Sequence, residues 1–151
     1  MENAFQTYSH LIKQMDMGVL FHDSYGKIRD ANPAAENMLG YSIAALQKTS
    51  LETFFEGAIH ANGEPAEELP PSQCLKTGQK VKDHVAGITH PNTGKRIWLK
   101  ITAIPEFQDG GEKPYRIITT LQEVTESYRL QRDLHENKEK FRKLTESTSA
   151  A

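Results

Sequence analysis

The side chains in this chain best suited to chemistry are its single cysteine, Cys74, and the histidines His60, His84, His90 and His135. A thiolate is a nucleophile and metal ligand, and a neutral imidazole moves protons or holds a metal or haem. Their spacing supports neither role. No Cys-x-x-Cys or His-Glu-x-x-His pattern occurs, and the Gly-x-Ser-x-Gly nucleophile elbow and the phosphate-cradling glycine loop are also missing. The chain therefore reads as a non-enzyme with no catalytic residue and no metal site, and it identifies no cofactor. Cys74 reads as a buried structural thiol, behaving as a small hydrophobe.

Composition limits the partners. A length of 151 residues suits one domain with extensions, and a net charge of −2 gives no reason to expect nucleic acid or an anionic membrane surface. One cysteine excludes an internal disulfide framework. The N-terminus lacks the basic-then-apolar layout of a signal peptide, and no apolar run approaches the roughly 20 residues of a membrane span. The expectation is a cytoplasmic protein, or the cytoplasmic part of a larger membrane protein, with no membrane insertion in this segment.

The elements that must position these residues follow from periodicity and turn chemistry. Phe5, Tyr8, Ile12 and Met15, with Leu11 beside them, predict an amphipathic helix that covers a sheet or packs on a second copy. Val19-Leu20-Phe21 predicts a strand, Asp23-Ser24-Tyr25-Gly26 a type I turn, and Lys27 to Ala31 a second strand. Asn32 then caps a helix begun by Pro33 and stopped by Gly40. Ser42 and Ser50 cap short helical turns over Ile43 to Gln47 and Leu51 to Phe55, and Ala58 to Pro70 has loop chemistry. Pro71 to Thr77 fits a helix closed by Gly78.

From Lys80 the period changes. Val81 to His90, Arg96 to Phe107 and Tyr115 to Val124 read as long strands in an antiparallel meander. In the middle strand Ile97, Leu99, Ile101 and Ala103 share one face, and Trp98, Lys100, Thr102 and Ile104 share the other. The lysine assigns the second set outward, which leaves Trp98 to be shielded by the N-terminal helix or a second subunit.

The window from Gly18 to Ser42 resembles the opening half of a PAS domain. Val19, Asp23, Gly26, Ile28, Asn32, Ala35, Leu39, Gly40 and Tyr41 match the pattern Ile-x-x-x-Asp-x-x-Gly-x-Ile-x-x-x-Asn-x-x-Ala followed by Leu-Gly-Tyr. The resemblance implies an α+β PAS fold, a five-stranded antiparallel sheet with short helices on one face. It divides the chain into an N-terminal amphipathic helix at 1–16, the PAS domain at 17–125 and a C-terminal signalling helix at 126–151. An internal cavity is implied as well, with Phe21, Leu39, Tyr41, Leu75, Val85, Leu99, Ile101 and Ile118 as candidate lining residues. The alternative is a ligand-free dimerisation module in which these side chains fill the core. Glu68 to Gly78 resembles bacterial PAS domains linked to nucleotide cyclases and kinases. The Asn-Cys-Arg-Phe-Leu-Gln motif of light-sensing relatives is absent, and none of His60, His84 and His90 lies on the Pro71–Thr77 helix, near where oxygen-sensing relatives keep their iron ligand.

The last segment, Glu126 to Ser147, carries no Gly or Pro. Leu130, Leu134, Asn137, Phe141 and Leu144 step by four, three, four, three, the seam of a coiled coil with one polar position. In the family a strand ending in Asp-Ile-Thr leads into such a helix, and Glu123, Val124 and Thr125 stand at those places as the expected relay. His135-Glu136 is followed by Asn137-Lys138-Glu139 rather than the Arg-Thr-Pro run of a phosphoaccepting site, so His135 reads as a solvated helix residue. Glu139 to Glu146 resembles the lead-in to a further PAS repeat. Together these features imply a sensory domain of a bacterial multi-domain signalling protein. It would form a homodimer through its N- and C-terminal helices. It would bind a small molecule, or relay signals, towards a missing downstream effector of diguanylate cyclase or histidine kinase type.

Overall fold

The structure is a computed structural model that describes residues 9–48 and 57–149. The expectations at Phe5 and Tyr8, at the Ser50 cap and over Leu51 to Phe55 lie outside those residues. Six strands form one antiparallel sheet in the order β2-β1-β6-β5-β4-β3. They are β1 (Gly18–Asp23), β2 (Ile28–Ala31), β3 (Ile59–His60), β4 (Val81–Thr89), β5 (Arg96–Glu106) and β6 (Arg116–Glu123). Residues 9–14 are helical (α1), followed by α2 (Pro33–Leu39), α3 (Ile43–Lys48), α4 (Pro70–Thr77) and α5 (Thr125–Ser149). The expected five strands become six because Ala58 to Pro70, read as loop, folds back on itself. His60 N donates to the Glu64 carbonyl at 2.8 Å, Ala66 N to the Ala58 carbonyl at 2.8 Å, and Ile59 and His60 pair with Gly87 and Ala86 of β4.

Local chemistry sets the first half of the sheet. Asp23 accepts the Tyr25 and Lys27 amides at 2.9 and 3.0 Å on one oxygen and the Arg29 guanidinium at 2.8 Å on the other. Partial burial pushes the Asp23 carboxyl up, but those amides and Arg29 outweigh it and hold it below the usual carboxylate value. The turn closes at Gly26, whose φ of +84° suits a residue without Cβ.

Asn32 does more than cap. Its Oδ1 accepts the Ala35 amide at 3.0 Å and the Val19 amide at 2.8 Å, while Nδ2 donates to the carbonyls of Ile12 at 2.9 Å and Met17 at 2.8 Å. Its own amide donates to the Val19 carbonyl at 3.0 Å. One buried side chain thus ties the end of α1, the start of β1 and the first turn of α2.

The core lies between the sheet and the helices. Leu20, Ile28, Leu39, Leu46, Ala86, Leu99, Ile101 and Leu121 form one buried cluster, and Cys74 of α4 packs with Ala103 and Ile117 in a second. Burial of each large side chain contributes roughly 1.5–3 kcal/mol. Two buried polar residues share this face. His22 and Thr119 are buried, with His22 Nε2 2.8 Å from Thr119 Oγ1. His22 Nδ1 meets no hydrogen-bond partner among the described residues. Burial lowers the His22 pKa to about 4, and the Gly26 backbone and the Asp23 charge offset only part of that.

Two predictions follow from these buried polar groups. Asn32→Asp keeps the cap oxygen but sets a second oxygen against the Ile12 and Met17 carbonyls. It should lose about 2–4 kcal/mol in urea unfolding, as much as Asn32→Ala. A near-neutral Asn32→Asp would show that the two donated bonds hold nothing. The His22 imidazole, with its folded pKa of about 4 against 6.5 unfolded, leaves the extra proton on the unfolded chain between those values. Its effect is nil above about pH 6.5, and as pH falls towards 4 stability drops by about 1.4 kcal/mol per unit. Stability measured in urea against pH should therefore fall less steeply for His22→Gln than for the parent protein, and equal slopes would refute it.

Candidate functional site

Strand register decides which expected pocket residues meet. Directly opposed residues of an antiparallel pair point to the same face. Leu99 opposes Ala86, Ile101 opposes Leu121, and Thr119 opposes both Leu20 and Ala103. These residues, with Leu39 from α2, make up the inner face. Leu39, Leu99 and Ile101 come together in this core, each at most 1% exposed.

Phe21, Val85 and Ile118 are not, and that expectation is corrected. Phe21 opposes Ile118, Ile118 opposes Ile104, and Val85 opposes Lys100, so all three lie on the outer face. Phe21 lies there under the Arg116 guanidinium, 5.5 Å from its ring centre, and Arg116 pairs with Glu106 at 2.7 Å. Tyr41 is also displaced from the interior. It is 40% exposed and lines a surface cleft with Glu36, Asn37, Ser42, His90 and Asn92. Leu75 is half-buried against the Cys74, Ala103 and Ile117 cluster.

The sequence reading missed Leu20, His22, Ile117, Thr119 and Leu121. In β1, Val19, Leu20 and Phe21 are all apolar, and in β6 Ile117-Ile118 is followed by Thr119-Thr120. Alternation is silent in such runs. The usable signal is propagation from β5: once Leu99 and Ile101 point inward, pairing fixes the parity of each neighbouring strand.

Burial of Cys74 raises its thiol pKa, which keeps it neutral and unreactive. Among the described residues no group of three or more His, Cys, Asp or Glu could hold a metal ion.

The second part of the site is the junction between β5 and α5, on the outer face. Val124 N donates to the Trp98 carbonyl at 2.8 Å, and Trp98 N donates to Thr125 Oγ1 at 2.9 Å. The residue between β6 and α5 and the first residue of the helix thus clamp both backbone groups of Trp98. Tyr128, one turn on, stacks on the Trp98 ring with centroids 4.0 Å apart and planes 30° apart. Its hydroxyl donates to the Ala61 carbonyl, across to the β3 hairpin. Trp98 is thus shielded by Tyr128 of its own chain, a correction to the expected shielding by the N-terminal helix or a second subunit. On its β4 side the ring needs Gly87, where an added Cβ would sit 2.9 Å from Cζ3. Glu123, the family's Asp position, is exposed and makes no ion pair among the described residues, so Val124 and Thr125 make the junction's contacts.

Comparison with curated protein sequences finds no match. Solved structures match over most of the chain. The PAS domain of nitrogen regulation protein NR(II) from Vibrio parahaemolyticus is 22% identical with a TM-score of 0.57, over 78% of this chain and 97% of that one. An RNA-binding Light-Oxygen-Voltage receptor is 18% identical with a TM-score of 0.69, over 88% of this chain and 36% of that one. A domain of a sensory box sensor histidine kinase/response regulator from Geobacter sulfurreducens is 16% identical with a TM-score of 0.57, over 79% of this chain and 93% of that one. At these identities the likeness speaks for the fold. The sequence itself matches the PAS domain family over residues 16–126, well over half of its length, and this chain belongs to that family.

Proposed function

We propose that this PAS domain is a sensory relay that works as a homodimer and passes a change in its sheet through α5 to a downstream effector of diguanylate cyclase or histidine kinase type. The observation that carries the reading is the row of solvent-exposed apolar side chains on α5. Leu130, Leu134, Phe141 and Leu144 are 62%, 57%, 73% and 68% exposed in a single copy. Their spacing is that of a coiled-coil seam, and Asn137 supplies one polar position of the kind that fixes register.

Physical need points the same way. A helix of 25 residues spans about 37 Å, and α5 is anchored to the sheet near its start by Thr125, Tyr128 and Arg129. Its later turns carry surface ion pairs, Arg132 to Glu136 at 3.5 Å and Arg142 to Glu139 at 2.9 Å, which contribute little. Helices of this kind draw their stability from burying an apolar face, and a second copy supplies a matching face by symmetry. The N-terminal helix is a further dimer contact in this reading. Helix-borne relay then requires only that two sheet states favour different packings of the two α5 helices.

A second reading, capture of a small molecule inside the domain, is favoured by one observation: the unpartnered Nδ1 of the buried His22. A small molecule with an apolar body and one polar group would satisfy it, lying among Leu39, Leu99, Ile101, Leu20 and Thr119. The tightly buried cluster on that face supports the ligand-free relay instead.

Leu134→Glu, which puts a charge in the seam without touching the sheet, should weaken dimerisation at least about tenfold. Light scattering coupled to size exclusion reads it. An unchanged mass at equal concentration would sink the coiled-coil route. Native mass spectrometry of the freshly purified domain should give a dimer at the bare polypeptide mass. Extra identifiable mass that is retained by Leu134→Glu and lost in His22→Leu would establish the ligand reading instead.

A further inference from the structure

We infer that the His60–His84 pair is a proton-sensitive latch that ties the β3 hairpin to β4 and, through it, holds the base of α5. The inference uses the relay reading only for its downstream consequence, and the latch itself is local.

His60 Nδ1 and His84 Nε2 lie 3.2 Å apart, with ring planes at 80°. At that distance one nitrogen carries the shared proton and the other presents a bare lone pair. The accepting ring must therefore be neutral. If both rings are imidazolium, two N–H groups and two positive charges face each other and the bond is replaced by repulsion. Few other contacts hold this edge, since β3 has two residues and pairs with β4 only at Ile59 and His60.

The next residue makes the connection to the helix. Ala61 carries the carbonyl that accepts the Tyr128 hydroxyl, and Tyr128 stacks on Trp98. A displacement of the hairpin therefore reaches the helix base within one residue of the latch.

The surrounding charges favour release. Glu64, Glu67 and Glu68 line a cleft of about 640 Å³ with His60 and Gln73, and Glu68 also pairs with Lys76 of α4 at 2.7 Å. These carboxylates offer the His60 ring N–H new acceptors once it leaves His84. On β4, Asp83 precedes His84 in sequence, and on β5 the register partner of His84 is the uncharged Ile101. Burial, then the neighbouring His60, hold the His84 pKa below its usual value. The latch is thus intact above about pH 6.5 and opens as pH falls through the lowered His84 value.

Trp98 is the only tryptophan of the chain, so its emission reports the stack directly. Titrating the full chain from about pH 8 to 5 should give one step in Trp98 emission with a midpoint below about 6.5 while far-UV circular dichroism stays constant. His84→Phe and His60→Gln should each abolish the step. His60→Gln, on the two-residue edge strand, decides the matter if His84→Phe fails to fold. Tyr128→Phe should keep the histidine titration in imidazole NMR signals and lose the emission step. Leu134→Glu should keep both, which separates the latch from the dimer reading. A flat emission profile in the parent protein, or a step that survives unaltered in both histidine variants, would overturn the proposal.

Discussion

The fold depends first on the four side-chain hydrogen bonds of Asn32. Both lone-pair directions of its oxygen and both of its amide protons are used, on Val19, Ala35, Ile12 and Met17. A buried amide is costly unless satisfied and specific when it is, because no other side chain of that size offers two acceptors and two donors in one plane. Fixing Val19 sets where β1 begins, and β1 in turn pairs with both β2 and β6. The register of β6 sets β5, and β5 carries Trp98. A chain of backbone pairings therefore runs from one asparagine at the start of the domain to the helix that leaves its end.

The two faces of the sheet do different work. The inner face is apolar and close-packed at its centre, with the His22–Thr119 pair buried in it and the His60–His84 pair at its β3 edge. In the proposed relay the outer face carries the output. Gly87 leaves room for the Trp98 ring, Trp98 presents its ring to Tyr128, and Thr125 and Val124 fix the strand-to-helix transition through Trp98's own backbone. Any change that tilts β5 against β4 must move the ring, and the ring moves the first turn of α5. Interior packing and the base of α5 both follow the position of one strand.

Such coupling transmits only a difference. An event bound or protonated equally in both sheet states shifts nothing, whatever its affinity. The buried His22 is suited to providing that difference, because a charge taken up inside costs several kcal/mol while the same charge in an open state costs little. The edge strand β3, two residues long, is where the structure has least to lose by opening. Sensing elements are drawn from such low-stability regions.

Much of this was legible in the chain. Asp23 to Gly26, Asn32-Pro33, Gly40 and Gly78 are local signals, since turn and cap geometry involves residues within four positions of one another. The α5 helix was legible for the same reason, and so was the inward face of β5, where Lys100 breaks the tie. Three features were decided only in the folded chain. Phe21, Val85 and Ile118 face outward because their parity is inherited from strand pairing. Trp98 finds Tyr128 because the helix folds back across β5. His60 meets His84 because a stretch with loop chemistry adds a sixth strand. Short-range propensity is written residue by residue in the sequence, whereas parity and pairing belong to contacts between segments far apart in the chain, and no window of the sequence contains both partners.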